Sequence, residues 1–119
     1  MHNFRELRVW KEEIEIAKNV YLVSANFPKD EKFGLTSQVR RAAVSIPSNI
    51  AEGAGRGSNK ELAHFLNIAL GSAYELETQL ILTQEFGFIS TVELAPLLEK
   101  LILLQKMISS FKTAILSKQ

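Results

Sequence analysis

No cysteine occurs among the 119 residues, which excludes a disulfide framework, a thiolate metal site and a cysteine nucleophile. That composition suits a reducing cytoplasm, the location expected for the chain. Histidine is nearly as scarce, with only His2 and His64. No apolar run approaches the roughly 20 residues of a membrane-spanning helix. The best candidate, Pro96 to Leu104, is interrupted by Glu99 and Lys100, so no membrane partner is expected. The N-terminus is charged from the outset and lacks an apolar signal core. Alternating strand patterns are absent too. The formal net charge is only +1. Residues 1–57 carry nine Lys and Arg against seven Asp and Glu, and residues 58–119 carry five against six. A single copy is therefore a poor candidate for strong, nonspecific nucleic-acid binding, although a ring of copies would concentrate a local patch.

What remains is apolar and periodic. Hydrophobic residues make up 46% of the chain and charged residues 23%, the balance of one globular domain over residues 1–119. A first helix is expected from about Arg5 to Asn26. Its seam is Leu7, Trp10, Ile14, Ala17, Tyr21 and Ser24, and a second apolar stripe holds Val9, Ile16, Val20, Val23 and Phe27. Pro28 then breaks the helix, and Asp30 or Thr36 is a candidate cap for the second. The third helix begins at a capping box, Ser58 with Glu61, in which each side chain is expected to reach the other's backbone N–H. Its seam is Leu62, Phe65, Ala69, Ala73, Leu76, Leu80 and Thr83, with an added stripe of Leu66, Leu70, Tyr74 and Ile81. Gly71 and Ser72 lie mid-helix, where a missing side chain suits close approach of another helix. The third helix ends at Gly87, and Ser90 or Thr91 caps a fourth whose seam runs from Leu94 through Leu97, Leu101, Leu104, Ile108 and Phe111 to Ile115. Short connections between long helices predict an all-α, antiparallel, up-down-up-down four-helix bundle.

The second helix is organised differently. Leu35, Val39, Ala42, Ala43, Ile46 and Ile50 make its core face, while Gln38, Arg41, Ser45, Asn49 and Glu52 form a polar stripe opposite, flanked by Arg40. Serine and asparagine are weak helix formers, and Pro47 removes a helical hydrogen bond, so this face departs from an ordinary solvated surface. Gly53, Gly55 and Gly57 are expected to end the helix.

Chemistry in the usual constellations is missing. Four-helix bundles that hold two irons need paired Glu-x-x-His motifs pointing inward. Glu61–His64 is a lone match and lies off the seam. The Gly53–Gly57 segment follows a helix and lacks the lysine and hydroxyl spacing of a phosphate loop. No catalytic residue, metal or cofactor is expected.

The run from Phe27 to Arg56, F-P-K-D-E-K-F-G-L-T-S-Q-V-R-R-A-A-V-S-I-P-S-N-I-A-E-G-A-G-R, resembles the signature of the 23S rRNA intervening sequence proteins, also labelled the S23 ribosomal protein family. Phe4 to Trp10 and Gly71 to Gln79 are similar to that family as well. The resemblance implies a four-helix bundle, and many such proteins are encoded within insertions in ribosomal RNA genes. A related branch, the accessory variability protein of diversity-generating retroelements, is a basic pentameric barrel that works with a reverse transcriptase and nucleic acid. By resemblance the chain is thus expected to form a homo-oligomer, a pentamer, and to serve RNA, DNA or a nucleic-acid enzyme. The second apolar stripes of the first and third helices point to self-assembly independently, and charged residues at Val20 and Val23 are expected to dissociate it. The candidate binding face is Gln38, Arg40, Arg41, Ser45, Asn49, Glu52 and Arg56, the arginines suiting phosphate through their planar donor forks. The competing expectation is a structural scaffold for a protein partner that binds no nucleic acid.

Overall fold

The computed structural model describes residues 2–118. Four helices fill it: α1 Arg8–Ser24, α2 Leu35–Ala54, α3 Asn59–Glu85 and α4 Thr91–Leu116. Among the described residues there is no strand. Each helix packs on two neighbours, α1 on α2 and α4, and α3 on α2 and α4, so the four stand at the corners of a square. Neighbours run antiparallel. Asn67 and Ala73 of α3 meet Lys112 and Gln105 of α4 in reverse order, and Ser45 of α2 meets Ser72 of α3 while Gly53 meets Phe65. The resulting rod measures 47 × 23 × 20 Å.

The seams of α2, α3 and α4 lie where their periodicity puts them, except that Leu35, Phe65 and Phe111 are only half-buried. Val39, Ala42, Ala43, Ile46 and Ile50 are buried, as are Leu62, Ala69, Ala73, Leu76 and Leu80, and Leu94, Leu97, Leu101, Leu104 and Ile108. Leu66 and Leu70 join this core, whereas Tyr74 and Ile81 stay exposed.

Helix α1 departs from expectation. It begins at Arg8, after a 3-10 turn over Phe4–Glu6, and ends at Ser24. Its buried face is Val9, Glu13, Ile16, Val20 and Ser24, continued by Phe27 beyond the helix end. The stripe of Leu7, Trp10, Ile14 and Ala17 is only half-buried, and Tyr21 is exposed. The two faces are exchanged relative to the sequence reading because a glutamate interrupts the true seam and makes the flanking stripe look more regular. Val20 is therefore a core residue, and a charge there attacks folding rather than assembly. Trp10 rests edge-on against Phe4, with ring centroids 5.2 Å apart, and closes the flank.

Helix ends show smaller differences. Neither Asp30 nor Thr36 caps α2. Gly34 occupies the cap position, and a Glu31 carboxylate oxygen accepts from the Leu35 N–H at 3.1 Å. At α3, Ser58 Oγ accepts from the Glu61 N–H at 3.1 Å, while the Glu61 carboxylate meets the Ser58 hydroxyl rather than its backbone. Ser90 caps α4 through the Glu93 N–H. Gly87 takes φ +79, a left-handed conformation that suits glycine at the close of α3.

Gly53 does not stop α2. It lies inside the helix and is buried, and a Cβ there would stand 2.6 Å from Phe65 Cβ. Of the two α3 residues expected to allow close approach, Ser72 meets α2 through the Ser45 hydroxyl at 2.9 Å and Gly71 does not. Around Gly71 there is open space.

Candidate functional site

The polar stripe of α2 is split three ways by the fold. Gln38, Arg41 and Ser45 form one wall of a groove of about 370 Å³ whose other wall is Glu75 and Gln79 of α3. Ser45 pins the floor, sharing a 2.9 Å hydrogen bond with the Ser72 hydroxyl across the helix pair. Asn49 holds Ser45 from one turn below, its amide donating to the Ser45 carbonyl at 2.8 Å and to its hydroxyl at 3.0 Å. Ser48 likewise donates to the Val44 carbonyl at 2.8 Å. Both accepting carbonyls lie in the turn before Pro47, and neither is the Ala43 carbonyl that the missing Pro47 N–H leaves without its helical donor. Ser45 is thus explained by helix pairing, and Ser48 and Asn49 by side-chain bonds back to the preceding turn.

Glu52 and Arg56 form the second group. They pair with each other at 3.1 Å near the end of α2, and the Arg56 guanidinium lies 4.9 Å above the Phe65 ring. Both are remote from the groove in sequence and take no part in lining it.

Arg40 belongs to the third. Its Nε donates to Ser24 Oγ at 2.8 Å, a terminal nitrogen donates to the Tyr21 carbonyl at 3.4 Å, and the guanidinium lies 4.6 Å from the Tyr21 ring centroid. Arg40 therefore clamps α2 to α1. Arg41 is exposed and makes no hydrogen bond or ion pair among the described residues. The adjacent arginines of the sequence have different duties.

Around Arg40 the structure assembles a corner that sequence spacing does not reveal. Tyr21, Lys32, Phe33, Thr36, Ser37, Arg40 and Arg41 line one shallow concavity. Lys29, Lys32, Thr36 and Arg40 line the next one. Phe33 is 88% exposed and Tyr21 46% exposed, with Lys32 Nζ 5.4 Å from the Phe33 ring centroid. Four cations and two accessible aromatic rings converge there. Asp30 is the exposed counter-charge, since Glu31 is engaged as the α2 cap. The sequence signal that was missed is Lys32–Phe33 just before Gly34, a large aromatic in a connection that has no core to enter.

Elsewhere, His64 and Glu61 are both exposed. Among the described residues no three His, Cys, Asp or Glu side chains gather as a metal site, and no helix is long and apolar enough to cross a membrane. Among the described residues the one strongly perturbed carboxyl, Glu13, lies in the core and not in the groove. Burial pushes it up to about 8, against the lowering pull of Lys100, with Glu12 raising it further, and neither oxygen has a hydrogen-bond partner.

Residues 5–110 match the family described as 23S rRNA-intervening sequence protein. A crystal structure of a protein with unknown function from the S23 ribosomal protein family of Bacteroides thetaiotaomicron is 25% identical, with a TM-score of 0.78. That similarity covers 87% of this chain and 97% of the other. No curated protein matches the chain.

Proposed function

For this chain, which belongs to the 23S rRNA-intervening sequence protein family, we propose a non-enzymatic accessory role in which the corner between α1 and α2 holds single-stranded nucleic acid. The observation that supports the reading most is Phe33, 88% exposed and surrounded by Lys32, Arg40 and Arg41. A phenylalanine left in solvent has no stabilising role in its own monomer, whereas a base can stack on it while the cations meet phosphates. Tyr21 offers a second ring, held in place by the Arg40 clamp.

Self-association goes with this role. Tyr74 and Ile81 on α3, and Ile102 and Leu103 on α4, are apolar and exposed. They favour a homo-oligomer, pentameric by the family resemblance, which would repeat a corner that is weak in a chain of net charge +1. The same face would equally serve a scaffold for a protein partner.

Fluorescence anisotropy with a labelled uridine tract tests the nucleic-acid role. The wild-type chain is expected to bind with an affinity that falls steeply as salt rises. Phe33→Ala is expected to weaken binding by about tenfold, the cost of losing one stacking platform. Salt-independent or absent binding, or full affinity in the Phe33 variant, would overturn the reading. Sedimentation at micromolar concentration checks the assembly, and a monomer there would refute it.

A further inference from the structure

The groove between α2 and α3 is chemically unlike the corner it adjoins. It presents one cation, Arg41, and one carboxylate, Glu75, on opposite walls, with the amides of Gln38 and Gln79 and the Ser45 hydroxyl between them. A phosphate does not suit such a lining, because Glu75 opposes the charge that Arg41 attracts. Nor is an apolar ligand suited to it. The complementary occupant is neutral overall and carries hydrogen-bond acceptors on one edge and donors on another. Neither Arg41 nor Glu75 makes a hydrogen bond or ion pair among the described residues, so the donors of one and the acceptors of the other are open to an occupant.

We propose that this groove reads a single unstacked base, and that the base it prefers is guanine. Guanine carries acceptors O6 and N7 on one edge, the pair that an arginine fork meets with two hydrogen bonds. Its N1–H and N2–H₂ donors lie toward the other edge, where the Glu75 carboxylate accepts them. Adenine offers a single exocyclic donor group and cytosine likewise, so both leave part of the lining unpaired. Uracil leaves Glu75 with one donor. The volume of about 370 Å³ admits a base together with its sugar. Arg41 lines both the groove and the basic corner, so a strand stacked at Tyr21 and Phe33 passes a neighbouring base directly to it. Recognition of splayed bases by their edges is the usual route to sequence preference in single-stranded RNA. This inference rests on the nucleic-acid reading of the corner.

The experiment compares three labelled RNA tracts on the full chain by anisotropy: all uridine, uridine with one central guanosine, and uridine with one central adenosine. The guanosine tract is expected to bind about tenfold more tightly than the other two, the discrimination of one good bidentate pair. Glu75→Gln is expected to abolish that advantage while leaving the all-uridine affinity unchanged, since Glu75 does not line the corner. Equal binding of all three tracts sinks the groove and leaves the corner standing, and so does a guanosine advantage that survives Glu75→Gln. Absence of binding by all three sinks the corner. Guanosine monophosphate then reads the groove alone: shifts of the Gln38 and Gln79 side-chain amide resonances support it, and unmoved resonances overturn it.

Discussion

The two halves of the bundle are packed by opposite means. The α2–α3 pair is the most extensive in the molecule and the α1–α4 pair the least. The α2–α3 seam is rich in small buried residues, Ala42, Ala43 and Gly53 on α2 and Ala69 and Ala73 on α3, with Ser45 bonded to Ser72, and Gly53 admits Phe65 and Leu62 of α3 to close range. Small side chains let two backbones approach, and the serine pair then bridges the seam directly. Between α1 and α4 the contact is the least extensive, and the larger residues Leu7, Val9, Met107 and Phe111 line an open apolar concavity there. A partnerless Glu13 is buried on the same side of the molecule, on α1. The close seam is a rigid mounting for the polar groove, and groups that must be held within tenths of an ångström belong on such a mounting. The looser half carries the stability cost.

The largest expected effect tests that loose half. The folded chain holds the Glu13 proton more tightly than the unfolded chain, since burial raises the carboxyl from an ordinary 4.5 to about 8. Stability is then highest below pH about 4.5, falls as pH rises toward about 8, and levels off above it. At about pH 7 the loss amounts to about 3 kcal/mol. Glu13→Gln is expected to remove most of that slope, leaving urea midpoints at about pH 5 and about pH 8 nearly equal. An unchanged slope would show that Glu13 is charged and compensated, and the contrast between the halves would lose its main support.

The tight half answers to glycine. Gly53→Ala places a Cβ 2.6 Å from Phe65 Cβ and 3.1 Å from Leu62 Cδ1, so it is expected to cost about 2 kcal/mol despite the better helix propensity of alanine. Gly71→Ala meets open space and is expected to gain about 1 kcal/mol in the same denaturation experiment. Equal behaviour of the two variants would contradict close packing at Gly53. Loss of assembly in Gly71→Ala would mark that open face as a contact between copies.

The smallest effect separates the adjacent arginines. Arg40→Ala removes the donor to Ser24, itself only 2% exposed, and the contact with Tyr21, and is expected to cost about 1 kcal/mol of stability. Arg41→Ala is expected to stay within about 0.5 kcal/mol of the parent, as exposed positions generally do. Thermal unfolding of the two single variants is the check. Binding experiments on the corner should accordingly use Arg41→Ala alone, because a double replacement would confound the clamp with the ligand contact.

Three seams of the four were legible along the chain, because heptads of leucine, isoleucine and alanine have one way to turn inward. On α1 two apolar stripes competed, and Glu13 made the buried one look like the poorer choice. The candidate face was legible as a set of residues and not as a site. Gln38, Arg41 and Ser45 stayed together, Asn49 became their support, Arg40 turned to α1, and Glu52 and Arg56 paired with each other. Glu75 and Gln79 carried a faint signal, a polar ridge with Ser72 at three- and four-residue spacing on α3. Nothing in one helix, however, tells which neighbour will stand opposite.

Helix number, helix boundaries to within a few residues, and the core faces of α2, α3 and α4 follow from the sequence by itself. They depend on local periodicity and capping, and those act over neighbours in the chain. Tertiary structure alone decided which α1 stripe was buried, which glycine allowed a close approach, and which polar side chains met. Those outcomes depend on the position of a second helix relative to the first, and they join residues as far apart as Ser45 and Ser72 or Tyr21 and Arg40. Such pairings are set by the packing of whole faces, not by the spacing along either one.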